Sequence, residues 1–343
     1  MGKWQIRLSD PGGGAGPTPP GGTDRFAPRV IVGNVPAGDP IAVQAAPFEY
    51  IGDTGNGAGI AAAIASVTAA GAGGWIHIRR GLYDLGAAGA PVLPMTIAGF
   101  RVTGDGCSTL LRLSTLDRRL FIMASGPGGA PPPELCHLGI DWTTAAAGAV
   151  GTECVDALGS FRAVIENVEV IKDGSPADNP DEPLTSVFRG GLGSRFLNAR
   201  TVNVDGNAGG AGVVSFRLAG TFAAAVACAV NGSNTGYRLE AAVSSLTACT
   251  HNGGVLAASS SGVRVAAPTV TVTGCMVTSS LDGIVVESSG GATLTTNAFG
   301  IGLAGDGIRI EAGATSNIVL ANRLNGNSFL DLGTLTESAH NTP

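Results

Sequence analysis

The chain has 343 residues, of which 54 are Gly, with 44% hydrophobic residues, 5% aromatics, 13% charged residues and a formal net charge of −6. That charge gives a nucleic-acid partner no electrostatic support, and no run is long or apolar enough to span a bilayer as a helix. Few charges and many glycines suit a chain that buries an inward face again and again and turns on small residues.

Residues 1–45 are rich in Gly and Pro (PGGGAGPTPPGG, then NVPAGDP) and hold one clear strand candidate, Arg29 to Val32. Taken alone, such a composition favours a flexible arm. The arm is expected either to dock on a larger assembly or to lie along its own body or a neighbouring subunit. The opening MGKWQIRLSDPGGG lacks the apolar core of a secretory signal. Beyond the arm, Ile60, Ile64 and Val67 fall on one helical face, which predicts an amphipathic helix from about Gly59 to Ala70. Gly71 to Gly74 end it, and WIHI then reads as a strand. The helix is placed to cap the first open coil of a repeat array.

The order Asp53-Thr-Gly-Asn-Gly57, an Ala-rich helix, a Gly pair, an apolar strand, Gly81-Leu-Tyr83 and then RVTGDGCSTLL, Arg101 to Leu111, resembles the opening of the pectate-lyase-superfamily β-helix proteins, among them many phage tailspikes. The resemblance covers roughly residues 50–111, with generic coils continuing to about Asn327, and it departs from the family at Arg80, where Pro is usual before the Gly-x-Tyr turn. In that family the motif is structural, so it implies the fold. The family's catalytic blocks are absent: neither Asn-Thr-Asp, Asp-Asp, Gly-His-Gly and Arg-Ile-Lys of the polygalacturonase type nor Arg-x-Pro-x-x-Arg of the pectate lyases occurs. Asp105-Gly106 reads as a turn. His77, His137, His251 and His340 lack metal-ligand spacing, so no metal or cofactor is expected.

From Cys136 onward one short pattern returns: apolar residues, then Asn or Cys, then a β-prone run ending in Gly. The anchors are Cys136, Asn167, Asn198, Cys228, Cys249, Cys275, Asn297 and Asn322. A second column keeps the same beat in Gly236-Tyr-Arg-Leu-Glu240, Gly262-Val-Arg-Val265, Gly283-Ile-Val-Val-Glu287 and Gly307-Ile-Arg-Ile-Glu311. By alternation Tyr237, Val263, Ile284 and Ile308 point one way, while Arg238, Glu240, Arg264, Glu287, Arg309 and Glu311 point the other. Short strands, no helical period and Gly at every corner describe an all-β chain, a parallel β-helix, and the family resemblance implies that it is right-handed, with an N-terminal capping α-helix. An inward Asn column would bond to itself and to turn backbone, with Cys filling the same slot as a free buried thiol. The segments are then 1–45, the arm; 46–111, the cap and first coils; 112–330, the β-helix; and 331–343, a C-terminal tail.

The first three anchor intervals run near 30 residues and the later ones near 21 to 26, so insertions gather in adjacent early coils. GSPADNPDEPLTSVFRGGLGSR, Gly174 to Arg195, is one; TTAAAGAVGTECVDALGS, Thr143 to Ser160, is another. Loops on a rigid scaffold carry binding sites. Counting from Cys136, Asn167 and Asn198, the acids Asp141, Asp173 and Asp205 lie five, six and seven residues on and would end the same strand in successive coils. With the outward Glu169 they are the candidate catalytic residues, Asp141 and Glu169 ahead of the other two, because Asp173-Gly174 and Asp205-Gly206 are also ordinary turn dipeptides. Trp142 would offer a platform for a sugar ring, and Arg200 is a candidate substrate contact or simply the ion partner of Glu169. The expected partner is a host polysaccharide, which the chain binds and either cleaves or leaves intact. The tailspike resemblance implies a virion component, a homotrimer that meets tail or adaptor proteins through its arm and is made in the host cytoplasm. A non-catalytic virion protein and a cellular polysaccharide lyase or hydrolase are the alternatives.

Overall fold

A computed structural model describes residues 30–33, 49–69, 74–85, 93–96, 99–112, 120–124, 131–141, 153–171, 186–202, 214–253, 260–278, 280–287, 289–300 and 303–342. Within them every strand pairing is parallel, in one sheet of 19 strands and one of 10. The chain is a right-handed parallel β-helix, and one coil shows how it is made. The five-residue strand Thr235–Leu239 is followed by a turn, the short strand Ser245–Thr247, the single left-handed residue Ala248, and the short strand Thr250–Asn252. The next coil then begins at Ser261–Val265. The five-residue strands stack into the smaller sheet and the paired short strands into the larger.

A left-handed residue recurs between the two short strands of successive coils: His137, Asn167, Asn198, Ala227, Ala248, Gly274, Thr296, Ala321 and His340. Its strain is offset by a bond to the next coil, since the N–H groups of Asn198, Ala227, Ala248, Thr296 and Ala321 each donate to a carbonyl one coil on. The residue after it turns inward, which defines the ladder. That slot holds Cys228, Cys249, Cys275, Asn297 and Asn322, as the Asn/Cys pattern predicts. Asn297 Nδ2 donates to Asn322 Oδ1 at 3.0 Å, and Asn322 Nδ2 donates to Asn341 Oδ1 at 3.0 Å, so the ladder runs beyond its last expected rung.

The first three anchors stand elsewhere. In the early coils the inward slot holds Leu138, Val168 and Ala199, all buried. Asn167 and Asn198 occupy the left-handed position one residue earlier, which Asn tolerates better than most residues. They form a short ladder of their own: Asn198 Nδ2 donates to Asn167 Oδ1 at 2.9 Å, and Asn167 Nδ2 lies 3.2 Å from His137 Nδ1. Cys136 is one residue earlier again, level with Thr103 and Glu166 on the opposite side of the strand from Leu135. There burial first, and the Glu134 carboxylate second, push its thiol up to about 12.

The interior of the smaller sheet is a stack of side chains. Phe188 and Phe216 lie with centroids 4.9 Å apart, and Phe216 and Tyr237 5.2 Å apart, both pairs stacked with nearly parallel rings. Val263, Ile284 and Ile308 continue the column. The glycines that open the expected Gly-x-Arg strands have a packing reason. A Cβ on Gly236 would strike the His251 ring, one on Gly262 would strike Val277, and one on Gly283 would strike the Phe299 ring. The larger sheet packs that closely against the second residue of these five-residue strands.

The helix spans Ala58–Ala69 and buries Ile60, Ile64 and Val67, the three residues of the predicted face. Asp53 holds its N-terminus: Oδ1 accepts from the N–H groups of Gly55, Asn56 and Gly57, and Oδ2 from those of Gly59 at 2.8 Å and Ile60 at 3.3 Å. The Asp-Thr-Gly-Asn-Gly motif is therefore a helix cap. Tyr83 is buried with its hydroxyl donating to Arg79 O at 2.9 Å. Arg80, at the family's proline position, uses an N–H that proline lacks, donating to Asp105 Oδ2 at 2.8 Å. Asp105-Gly106 lies inside the strand Arg101–Arg112, where the pairing register shifts, and so forms a bulge within a strand where the sequence suggests a turn between two.

Within the arm, Val30–Gly33 pairs with Glu49–Gly52 and Trp75–Ile78. At the other end Glu337–Ala339 pairs with Ile318–Leu320 and forms a further coil. All six cysteines are free, five of them buried.

Candidate functional site

Of the six residues singled out from the sequence, Trp142, Asp173 and Asp205 lie outside the described residues. Asp141 ends the strand Glu134–Asp141, level with Arg112 in the preceding coil and Ile171 in the next. Ile171 in turn is level with Val202. Counts of five, six and seven residues from the anchors predict a row of three acids; at the level of Asp141 the described strands hold Ile171 and Val202, with Asp173 and Asp205 two and three residues further along the sequence, outside the described residues.

Glu169 faces outward between the buried Val168 and Val170, level with Gly139 and Arg200. Asp141 and Glu169 therefore share the outer face, one rung and two residues apart, which places their Cα atoms about 8 Å from each other. Each carboxylate meets a guanidinium. Arg112 Nε donates to Asp141 Oδ2 at 2.8 Å, and Arg200 Nε lies 3.3 Å from Glu169 Oε2. Gly139 lies between Leu110 and Glu169 in its column, and the Leu110 side chain packs over it. The Cys107 thiol approaches Glu169 Oε2 at 3.7 Å, and burial first, then the Glu169 charge, push its pKa up.

Three long connections begin at this level. Asp141, Ile171 and Val202 precede residues 142–152, 172–185 and 203–213, and the chain re-enters the description at Glu153, Ser186 and Val214. On the side they reach, the outer face of the smaller sheet carries a second charged row. Asp156, Arg189, Arg217, Arg238, Arg264, Val285 and Arg309 are in register, one per coil. Glu240 bridges Arg217 at 2.7 Å and Arg238 at 2.9 Å, and Glu287 bridges Arg238 at 3.3 Å and Arg264 at 3.2 Å. Arg189 meets Glu153 at 3.0 Å and Arg309 meets Asp282 at 3.0 Å, both carboxylates being buried.

The later half of this row is legible from its Gly-x-Arg-x spacing. Arg189 and Arg217 escape it because their strands read SVFRG and VSFRL, without the leading glycine. The shared signal is an apolar residue on each side of Arg. Chemically, the two rows frame the three long connections with paired acids and guanidinium groups, which can accept and donate hydrogen bonds to the hydroxyls of a polyol.

No protein-family model matches the chain, and no curated protein sequence matches it. Solved structures do. Two structures of mutants of the tailspike protein of E. coli bacteriophage HK620, one in complex with hexasaccharide, align with TM-scores of 0.57 and 0.59 at 13% identity. Each alignment covers 77% of this chain and 52% of the tailspike, so the chain spans about half the length of those proteins. A mannuronan C-5 epimerase A-module of Azotobacter vinelandii aligns over 83% of this chain and 97% of its own, at 14% identity and a TM-score of 0.46. The chain shares the parallel β-helix fold of the tailspike structures.

Proposed function

We propose that the chain is a tailspike-like virion component that binds a polysaccharide of the host surface at the three coils carrying the long connections. One observation carries this reading: in three successive coils, connections of eleven to fourteen residues leave from one level of the larger sheet, beside Asp141 and Glu169. A rigid scaffold that gathers its insertions at one place builds a binding wall there. The hexasaccharide in one tailspike of the same fold supports saccharide as the ligand class. On this reading Asp141 and Glu169 line the groove, Trp142 and Arg200 contact sugar, and Asp173 and Asp205 stand at the bases of their connections. Homotrimer formation and attachment to tail or adaptor proteins through residues 1–45 belong to the same proposal.

If the site is catalytic, Asp141 and Glu169, on neighbouring rungs of the same outer face, are the acid and the base or nucleophile. The ion pairs to Arg112 and Arg200 favour a second reading, in which the same carboxylates only accept hydrogen bonds from bound sugar. Incubation of the purified protein with host capsular polysaccharide or lipopolysaccharide separates these. New reducing ends identify a hydrolase, an unsaturated product a lyase, and binding without either a receptor-binding protein. Absence of binding to any envelope polysaccharide sinks the reading.

A further inference from the structure

The outer face of the larger sheet divides into two chemically distinct halves. In the early coils it is charged, with Arg101, Glu134, Glu166, Glu169, Arg195 and Arg200 all on it. From Ala224 to Gly300, over four coils, none of its outward residues is charged. Hydroxyls and methyls replace the charges. Thr247, Thr273 and Thr295 are in register in one column, and Thr271 and Thr293 in the column beside it.

Hydrogen bonds link some of the side chains on this face between rungs. Thr273 Oγ1 lies 3.0 Å from Thr295 Oγ1, and Thr278 Oγ1 donates to Asn252 Oδ1 at 3.1 Å. A hydroxyl has one donor and two acceptor positions, so each member of such a ladder keeps capacity for a ligand. The rung spacing repeats the same pair of hydroxyl and methyl groups about every 4.8 Å along the solenoid axis.

Other occupants fit poorly. A strip without Arg or Lys has nothing for phosphate, and one without carboxylates has nothing for a hard cation. Protein interfaces are anchored by buried Trp, Tyr and Arg, and among the described residues the strands of these four coils expose only Val226 and Met276 on the face as large apolar groups, with Phe222 and Val243 in the turns at its edge. A chain of uncharged sugars matches on each count: it offers hydroxyls and C–H edges in alternation, carries no charge, and advances per 1,4-linked pyranose by a distance close to one rung.

We propose that this strip is a binding face for an uncharged polysaccharide lying along the solenoid axis, with one sugar per coil. The proposal rests on the saccharide-binding reading above but uses a different face from Asp141 and Glu169. It makes the tested ligand neutral and places part of its grip on the later coils.

The test is titration calorimetry of the full chain with soluble neutral glucans, mannans and galactans and, separately, with polyuronates. A neutral glycan should bind in preference to the polyuronates. Replacing Thr247, Thr273 and Thr295 together by Val keeps shape and strand preference but removes three hydroxyls, and should weaken the neutral glycan about tenfold or more with an unchanged melting transition. Should that variant fold poorly, Thr271→Glu, at an exposed position, supplies the same test by placing a carboxylate on the strip. Parent-like affinity in the folded variants, or preference for polyuronates, overturns the strip while leaving the saccharide reading in place. No glycan bound by the parent protein overturns both.

Discussion

Replacing Asn297 by Leu tests the ladder at its most bonded rung. Asn297 is buried, and its Oδ1 accepts from the Cys275 N–H at 2.9 Å while its Nδ2 donates to Val272 O and to Asn322 Oδ1, both at 3.0 Å. Leucine fills a similar volume and makes none of these bonds. The Cys275 N–H is then orphaned, at about 1–3 kcal/mol, and two further bonds are lost at roughly 0.5–1.5 kcal/mol each, so the variant should lose about 2–6 kcal/mol. Cys275→Ala, in the neighbouring rung, gives up a 3.6 Å contact from Sγ to Thr273 O and a little volume, and should lose about 1 kcal/mol. Urea unfolding of both variants and the parent, followed by circular dichroism at neutral pH, measures the difference. Equal midpoints for Asn297→Leu and the parent, or an equal fall in both variants, would refute the ladder as the device that holds the later coils in register.

His251 is buried, neither ring nitrogen has a hydrogen-bond partner among the described residues, and burial pushes its pKa down to about 4. Its neutral form is the one the fold accepts, so stability should be full above the unfolded value of about 6.5, fall by about 3 kcal/mol as pH drops toward 4, and level off below; His251→Leu should flatten that limb of the acid titration. Asp141→Asn and Glu169→Gln should each lower turnover about a hundredfold, with the fold intact, if the polysaccharide is cleaved, and full activity in both would move the search to the charged row of the smaller sheet. Removing residues 1–29 should leave a folded β-helix that no longer joins its assembly, read out by co-purification with tail components; a truncated chain that still incorporates would contradict the docking role.

The fold was legible because its signals are local and repeated. Apolar-Arg-apolar alternation after a glycine returns three times, with Val285 in place of Arg in a fourth such strand, and the helix between Asp53 and the following Gly run carries its own cap and face. The ladder was legible from Cys228 onward, where the side chain after the left-handed residue is itself Asn or Cys. It slipped in the early coils because Asn suits two neighbouring positions for different reasons: inward, for its paired donor and acceptor, and in the left-handed bend, for its tolerated backbone. Leu138, Val168 and Ala199 fill the true slot there and carry no pattern to separate them from other core residues. The count to the acids began from those same anchors, and the level of Asp141 runs through Ile171 and Val202, with Asp173 and Asp205 outside the described residues. Glu169 was placed correctly by alternation alone, and so was its contact with Arg200. The ion pairs Arg112–Asp141, Arg189–Glu153 and Arg309–Asp282 link residues 24 or more positions apart, and only the stacking of coils brings them together.

Hydrogen–deuterium exchange of the protein with and without a bound envelope polysaccharide tests the central claim most directly. Slowed exchange in the strands Glu134–Asp141 and Val164–Ile171 and around Arg200–Val202 is the predicted result, because these strands carry the connections that would wall the groove. Binding that leaves exchange in all three unchanged would contradict it.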